Sequence, residues 1–233
     1  MEIAAVIEEP KDFQNVKENI VQNMLNNIQE EENIQRSESP DLMTRLAPCQ
    51  YNNLSEVTDS LILTSASSLN SQILEMFNVS CIISCAPELP DPPHREDAIY
   101  HKIDIMDSGY SRILPYFDKS ADLIQQVSNL GGKTMVYCVA GVSRSASICI
   151  AYLMKYHKLS LLESYNYVKL RRPRIKPNCG FFKQLIEYEK QLFGCNTVQM
   201  VFNEFVQMEI PDVYDADYRP ITSYSKKIKN GRY

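Results

Sequence analysis

The segment Thr134-Met-Val-Tyr-Cys138-Val-Ala-Gly141-Val-Ser-Arg144-Ser145 constrains this chain more than any other stretch. Thr134 to Cys138 is a short β-prone run. Ser145 to Lys158 has helical spacing, with apolar residues at Ile148, Ile150, Ala151, Leu153 and Met154. A strand is therefore expected to end at Cys138, a short loop to follow, and a helix to start near Arg144. At such a junction the backbone N–H groups of Val139, Ala140, Gly141, Val142 and Ser143 can turn inward together. The helix N-terminus adds free donors and the positive end of its dipole. The product is an anion cradle with a thiol at its base. The same field favours thiolate over thiol, which suits Cys138 to act as a nucleophile. Gly141 permits a backbone conformation that a Cβ would hinder. Arg144 offers a planar fork to two oxygens of a bound oxyanion. With seven cysteines in the chain, an Arg six positions after one of them is common by chance. Requiring Gly at the third position and Ser at the seventh lowers the odds to about one in several hundred. The segment is therefore read as a site, not as a buried Cys ahead of an ordinary helix.

The rest of the chain supplies a frame for such a junction. Ser60 to Thr64 and Cys81 to Ser84 read as buried strands, and Tyr100 to Ile105 as another. Helices are expected over Leu69 to Phe77, over Pro115 to Leu130 (through Tyr116, Ala121, Ile124 and Val127) and from Ser145. Ser160 with Glu163 matches a capping box for a further helix that stops before Pro173. Asn178 can cap a last helix that Gly194 ends. Pro87, Pro90, Pro92 and Pro93 mark a surface loop. Alternating strands and helices predict an α/β fold: one domain over residues 46–194, with a central, mostly parallel sheet flanked by helices. Residues 1–45 carry ten acidic residues against four basic ones and read as a flexible acidic arm. Val16, Ile20, Met24 and Ile28 give that arm some helical spacing, which leaves a partner-binding helix as the alternative. Residues 195–233 form a C-terminal extension ending in a short basic tail.

Composition excludes several classes. A net charge of −5 and a pI near 5.3 argue against nucleic-acid binding. No stretch approaches the length of apolar sequence that a membrane span needs, and the N-terminus lacks the pattern of a secretory signal. The cysteines follow no CxxC spacing, and His94, His101 and His157 are scattered, so neither a metal site nor a disulfide framework is expected. Reduced thiols point to the cytoplasm or nucleus.

The run Val136 to Met154 closely resembles the signature of the dual-specificity protein phosphatases, within the cysteine-based protein-tyrosine phosphatase superfamily. The resemblance continues through Arg171-Arg-Pro173 and Pro177-Asn-Cys-Gly-Phe181, covers about Arg45 to Leu192, and is strongest to the small atypical members. It implies hydrolysis of phosphotyrosine, phosphoserine and phosphothreonine in proteins through a phosphocysteine, without cofactor or metal. In that scheme Cys138 attacks phosphorus, while the N–H groups from Val139 to Arg144 and the Arg144 side chain hold the phosphoryl oxygens. Ser145 assists the departing thiolate. The family's acid lies about 30 residues before the nucleophile, which indicates Asp107; Asp104 competes but falls inside the expected strand. Asn178 matches an asparagine that braces the phosphate loop, although an N-cap role explains it equally well. Phosphorylated proteins, kinases of signalling cascades among them, are the implied partners. The basic group Lys169, Arg171, Arg172, Arg174 and Lys176 either steers such substrates or is a solvated helix end.

The sequence departs from the family pattern directly before the nucleophile, where Tyr137 replaces the usual histidine. A tyrosine hydroxyl donates one hydrogen bond but carries no positive charge at neutral pH. A less activated thiol and a slower enzyme are the expectation. Two alternatives stay open: a weak or dead pseudophosphatase that binds phosphorylated partners, and a phosphatase of the same fold acting on lipid or RNA phosphates. The chain has no Trp, hence no Trp-Pro-Asp acid loop, and its cradle lacks the lysines of lipid-directed relatives. Both features favour dual specificity toward proteins.

Overall fold

A computed structural model describes residues 54–92 and 98–218. The acidic arm with its Val16 to Ile28 spacing, Pro93 and the basic tail lie outside the described residues.

The short apolar runs form the centre of a five-stranded sheet. Strands β1 (Ser55–Thr58), β2 (Leu61–Ser65), β3 (Val79–Ser84), β4 (Ile99–Lys102) and β5 (Lys133–Cys138) lie in the order β1-β2-β5-β3-β4. Only β1 is antiparallel to its neighbour; the other pairs are parallel. β5 is thus central, and its residues are buried from Thr134 onward. Strands covered on both faces need not alternate with polar residues, which is why β2, β3 and β5 read as near-continuous apolar runs. Side chains still alternate between faces. Val136 and Cys138 join the larger core, whereas Met135 and Tyr137 join a smaller one with Ile62, Ile82, Ile73 and Leu74.

Helices cover the two faces unequally. α1 (Ser71–Met76), capped by the Asn70 side chain, packs into the smaller core. The larger core gathers α2 (Leu114–Asn129), α3 (Arg144–His157), α4 (Leu161–Arg171) and α5 (Cys179–Phe193). The eleven residues of α3 from Arg144 to Met154 are all buried, as expected of a helix that is apolar nearly all round. On α2 the buried face runs through Phe117, Ala121, Ile124 and Val127, one position round from the expected Tyr116.

Three differences from the sequence expectation matter for the site. Strand pairing ends at Lys102, not Ile105. Ile103 N still donates to Ser84 O at 2.8 Å, and then the chain leaves the sheet with Ile103 and Ile105 buried beneath it. Their apolar spacing records burial of a loop, not a strand. β1 was not expected, because Ser-Glu-Val-Thr carries too little apolar signal. Nor was the hairpin of β6 (Met200–Asn203) and β7 (Met208–Pro211). Part of the C-terminal extension is integral to the core: Val198, Ile210 and Tyr214 are buried in it. Tyr214 packs edge-on to Phe182, with ring centroids 5.2 Å apart, and donates to Pro177 O at 2.8 Å.

Both expected helix caps on this side form. Ser160 Oγ accepts from Glu163 N, and Glu163 Oε2 accepts from Ser160 N at 2.8 Å. Buried Glu189 reinforces the same helix start, accepting from Leu161 N at 2.7 Å and from Thr197 N at 2.8 Å. Replacing Ser160 with Ala removes one half of the box. The expected loss is about 1 kcal/mol, read as a lower urea midpoint with an unchanged slope.

Candidate active site

The parallel strands end together at Ser65, Ser84 and Cys138, with Ser65 and Cys138 in register and Ser84 paired to Tyr137. Open α/β sheets place ligands outside the carboxyl ends of their strands, where chain order reverses. Here the reversal is the insertion of β5 between β2 and β3.

The loop from Cys138 to Arg144 is held open by its carbonyls. Val139 O accepts from Ala66 N at 3.3 Å, and Val142 O accepts from Lys176 N at 2.9 Å. Ala140 O and Gly141 O both accept from the Arg172 guanidinium, at 3.3 and 2.6 Å. Ser143 O accepts from Ser147 N and Ser147 Oγ inside α3. Every carbonyl from Val139 to Ser143 therefore finds a donor away from the cradle, which leaves the N–H groups to face inward. Gly141 has φ of +66°, and a Cβ there would collide with the Thr64 carbonyl and the Arg172 side chain.

Cys138 lies at the base of this loop, 1% exposed. Its Sγ accepts from Gly141 N at 3.2 Å and from Ser145 Oγ at 3.1 Å, so the first turn of α3 and the loop both direct donors at the sulfur. Above it the Arg144 side chain is 4% exposed. Its two Nη atoms bind Glu88 at 2.9 and 2.7 Å, and Nη1 also donates to Ile105 O. Arg144 Nε is buried without a hydrogen-bond partner among the described residues, 3.8 Å from Asp107 Oδ2. The side chain is thus fixed from behind and keeps a donor for an oxyanion.

Asp107 belongs to the loop between β4 and α2. Its Oδ1 accepts from Ser143 Oγ at 2.7 Å and from Asn178 Nδ2 at 2.8 Å. Ser143 Oγ in turn accepts from Asn178 N at 3.1 Å. Asn178 also caps α5 by accepting from Phe181 N at 2.9 Å. The cap and the brace are therefore one residue performing both roles. Asp104 is exposed and lies past the end of β4, not inside a strand as expected. What separates the two carboxylates is that Asp107 touches the cradle. Gly180, in the first turn of α5, packs so closely on Gly109 that a Cβ would collide with the Gly109 carbonyl, which seats the Asp107 loop against that helix.

Tyr137 points to the other face of the sheet. Its side chain is 2% exposed and faces Ser84 and Tyr100, and burial pushes its pKa well up, so it stays neutral. The basic group at the end of α4 and just past it is mostly engaged within the fold. Arg172 is buried, Arg171 stacks 3.5 Å from the Tyr167 ring centroid, and Lys176 pairs with Asp217 at 3.1 Å. Lys169 donates to Ile175 O at 2.9 Å, and Arg174 alone is exposed.

Comparison with known proteins gives the chain's family. The dual specificity phosphatase catalytic domain family matches residues 61–191. The chain belongs to this family. It is 46% identical over 174 residues to mouse dual specificity protein phosphatase 14, covering 73% of this chain and 85% of that protein. It is 42% identical over 167 residues to rat dual specificity protein phosphatase 18, covering 71% and 80%. Among solved structures, human DUSP28 superposes with a TM-score of 0.58 at 30% identity, over 60% of this chain and 99% of that one. A mouse putative dual specificity phosphatase complexed with zinc tungstate gives a TM-score of 0.59 at 26% identity, over 64% and 93%. Among the described residues no helix of this phosphatase is long and apolar enough to cross a membrane.

Sequence reasoning missed Glu88, the link through Ser143, and the burial of Arg172. Glu88 lies just past the carboxyl end of β3, where the crevice of such a sheet forms, so its place after a predicted parallel strand was a usable signal. The hydrogen bonds and charge of Arg144 lower the Glu88 pKa. The pair therefore stabilises the fold fully above the ordinary glutamate value of about 4.3 and is lost as pH falls through the lowered one. Glu88 is one-third exposed, so the expected loss for Glu88→Ala at neutral pH is about 1–2 kcal/mol. Urea melts across pH should show that loss shrinking toward acid.

Proposed function

We propose that this phosphatase hydrolyses phosphate monoesters of tyrosine, serine and threonine in proteins through a phosphocysteine at Cys138. The observation that carries the reading is a buried thiol at the floor of a loop whose carbonyls all turn outward. A phosphoryl group seated there meets inward N–H groups on its oxygens and the Arg144 fork above them, an electrostatic match to the charge of the transition state.

In the first step Cys138 Sγ attacks phosphorus and the bond to the leaving oxygen breaks. Asp107 protonates that oxygen. Its Oδ1 is committed to two donors, so the proton sits on Oδ2. In the second step Asp107, now ionised, takes a proton from water as the water attacks phosphorus. The P–S bond breaks, and the Ser145 hydroxyl donates to the departing thiolate across the 3.1 Å contact. Inorganic phosphate leaves. The chemistry uses no cofactor.

Val139 and Ala140, the first loop residues past Cys138, are exposed, so the rim of the loop is open to solvent on that side. Phosphoproteins, kinases of signalling cascades among them, are the proposed substrates.

Hydrolysis of an aryl phosphate tests the scheme. Cys138→Ser should abolish turnover. Asp107→Asn should lower kcat about a hundredfold, with a smaller loss as the leaving phenol becomes more acidic. Wild-type protein that binds phosphopeptides but turns nothing over would favour the binding-only alternative. Activity that survives Cys138→Ser would refute the mechanism. For Tyr137→His, faster turnover and an acidic limb of the kcat/KM profile at lower pH are expected; coincident profiles would show that the tyrosine costs nothing.

A further inference from the structure

Arg172 stands one residue past the end of α4, where Pro173 prevents the helix from continuing. Its backbone N still bonds Val168 O, but the chain then turns and sends the side chain inward, where the residue is 3% exposed. Two of its donors lie on the loop's outer surface, Nε on Gly141 O at 2.6 Å and Nη2 on Ala140 O at 3.3 Å, while Nη1 reaches Ser55 Oγ of β1 at 3.4 Å. Gly141 is so close that a Cβ there would strike the guanidinium. Burying a guanidinium is costly unless its donors and its charge are used.

We propose that Arg172 is a positioning residue of the phosphate cradle: it turns the Ala140 and Gly141 carbonyls outward and sets a buried positive charge behind Cys138. The planar guanidinium serves the two adjacent carbonyls with donors held in fixed directions, which a rotating ammonium does not offer. Burial pulls the Arg172 pKa down to about 10, against an upward pull from the nearby Cys138 and Cys149 sulfurs, so the residue remains charged at neutral pH. The charge acts on the same sulfur that receives the Gly141 and Ser145 donors. It supplies from behind the loop the cationic support that Tyr137, neutral and on the other face of the sheet, does not.

This inference rests on the phosphocysteine reading, and the two fail differently. Cys138→Ser that keeps activity defeats that reading and says nothing of Arg172. The test compares full-length wild type, Arg172→Met and Arg172→Lys, each checked by circular dichroism and thermal melting. Tungstate affinity is measured by calorimetry, and kcat/KM for an aryl phosphate is measured across pH. Arg172→Met is expected to bind tungstate about tenfold more weakly and to lose about a hundredfold in kcat/KM, with the acidic limb moved to higher pH. Arg172→Lys keeps the charge but not the fork, so its limb should stay near wild type while tungstate binding weakens. A residue that merely stabilised the fold would lower the melting temperature and leave the other two readouts unmoved. Folded Arg172→Met with wild-type tungstate affinity and an unshifted limb overturns the proposal. If that variant does not fold, Arg172→Lys decides: weakened tungstate binding supports the proposal, and wild-type affinity overturns it.

Discussion

The outward hold on the carbonyls of residues 139–143 is the constraint on which the rest of this structure depends. A seven-residue loop has no intrinsic reason to aim its N–H groups at one point, because peptide units alternate freely unless their other ends are tied. Here the ties come from separate parts of the fold: Ala66 after β2, Arg172 and Lys176 after α4, and Ser147 within α3. Each is a donor that would otherwise need a partner, so binding the loop and satisfying the fold are the same set of hydrogen bonds. The inward N–H groups, with the dipole of α3, then form a positive site that costs no reorganisation when an anion arrives.

The larger architecture can be read as support for those ties. The stretch from Arg172 to Asn178 contributes the guanidinium, the Lys176 N–H and the Asn178 bonds to Ser143 and Asp107. That stretch is pinned from below by Tyr214, whose hydroxyl donates to Pro177 O while its ring packs on Tyr165 and Phe182. The C-terminal hairpin and the turn after it thereby connect to the active site through one buried tyrosine. On the opposite side, Glu88 holds Arg144 and the Gly109–Gly180 contact seats the Asp107 loop. The proposed nucleophile and anion clamp stand at the two ends of one loop and the acid comes from another, and both loops are anchored to separate helix and strand ends.

Much of this was legible in the sequence, for physical reasons. β5, the cradle and α3 are local: an apolar β-prone run, a glycine needing positive φ and a periodic helix lie within one short stretch, so propensity and pattern agree. The Ser160 box and the Asn178 cap are local too. What the sequence concealed is non-local. Nothing adjacent to Glu88 indicates Arg144, and a run of five basic residues looks solvated until Pro173 turns Arg172 inward. The apolar alternation at Ile103 and Ile105 was ambiguous because a buried loop and a strand bury the same side chains. β1 and the hairpin carried weak patterns and gain their stability from tertiary packing, which periodicity does not register.

The most direct test of the account is whether phosphate becomes bonded to Cys138 during turnover. Wild-type enzyme mixed with an aryl phosphate and quenched in acid within a single turnover should yield a phosphorylated peptide containing Cys138, with the modification on sulfur. The Asp107→Asn variant should also form it, with a leaving group acidic enough to depart unaided, and hydrolyse it slowly. Steady turnover with no covalent phosphate on that peptide, or with phosphate on a different residue, would contradict the account.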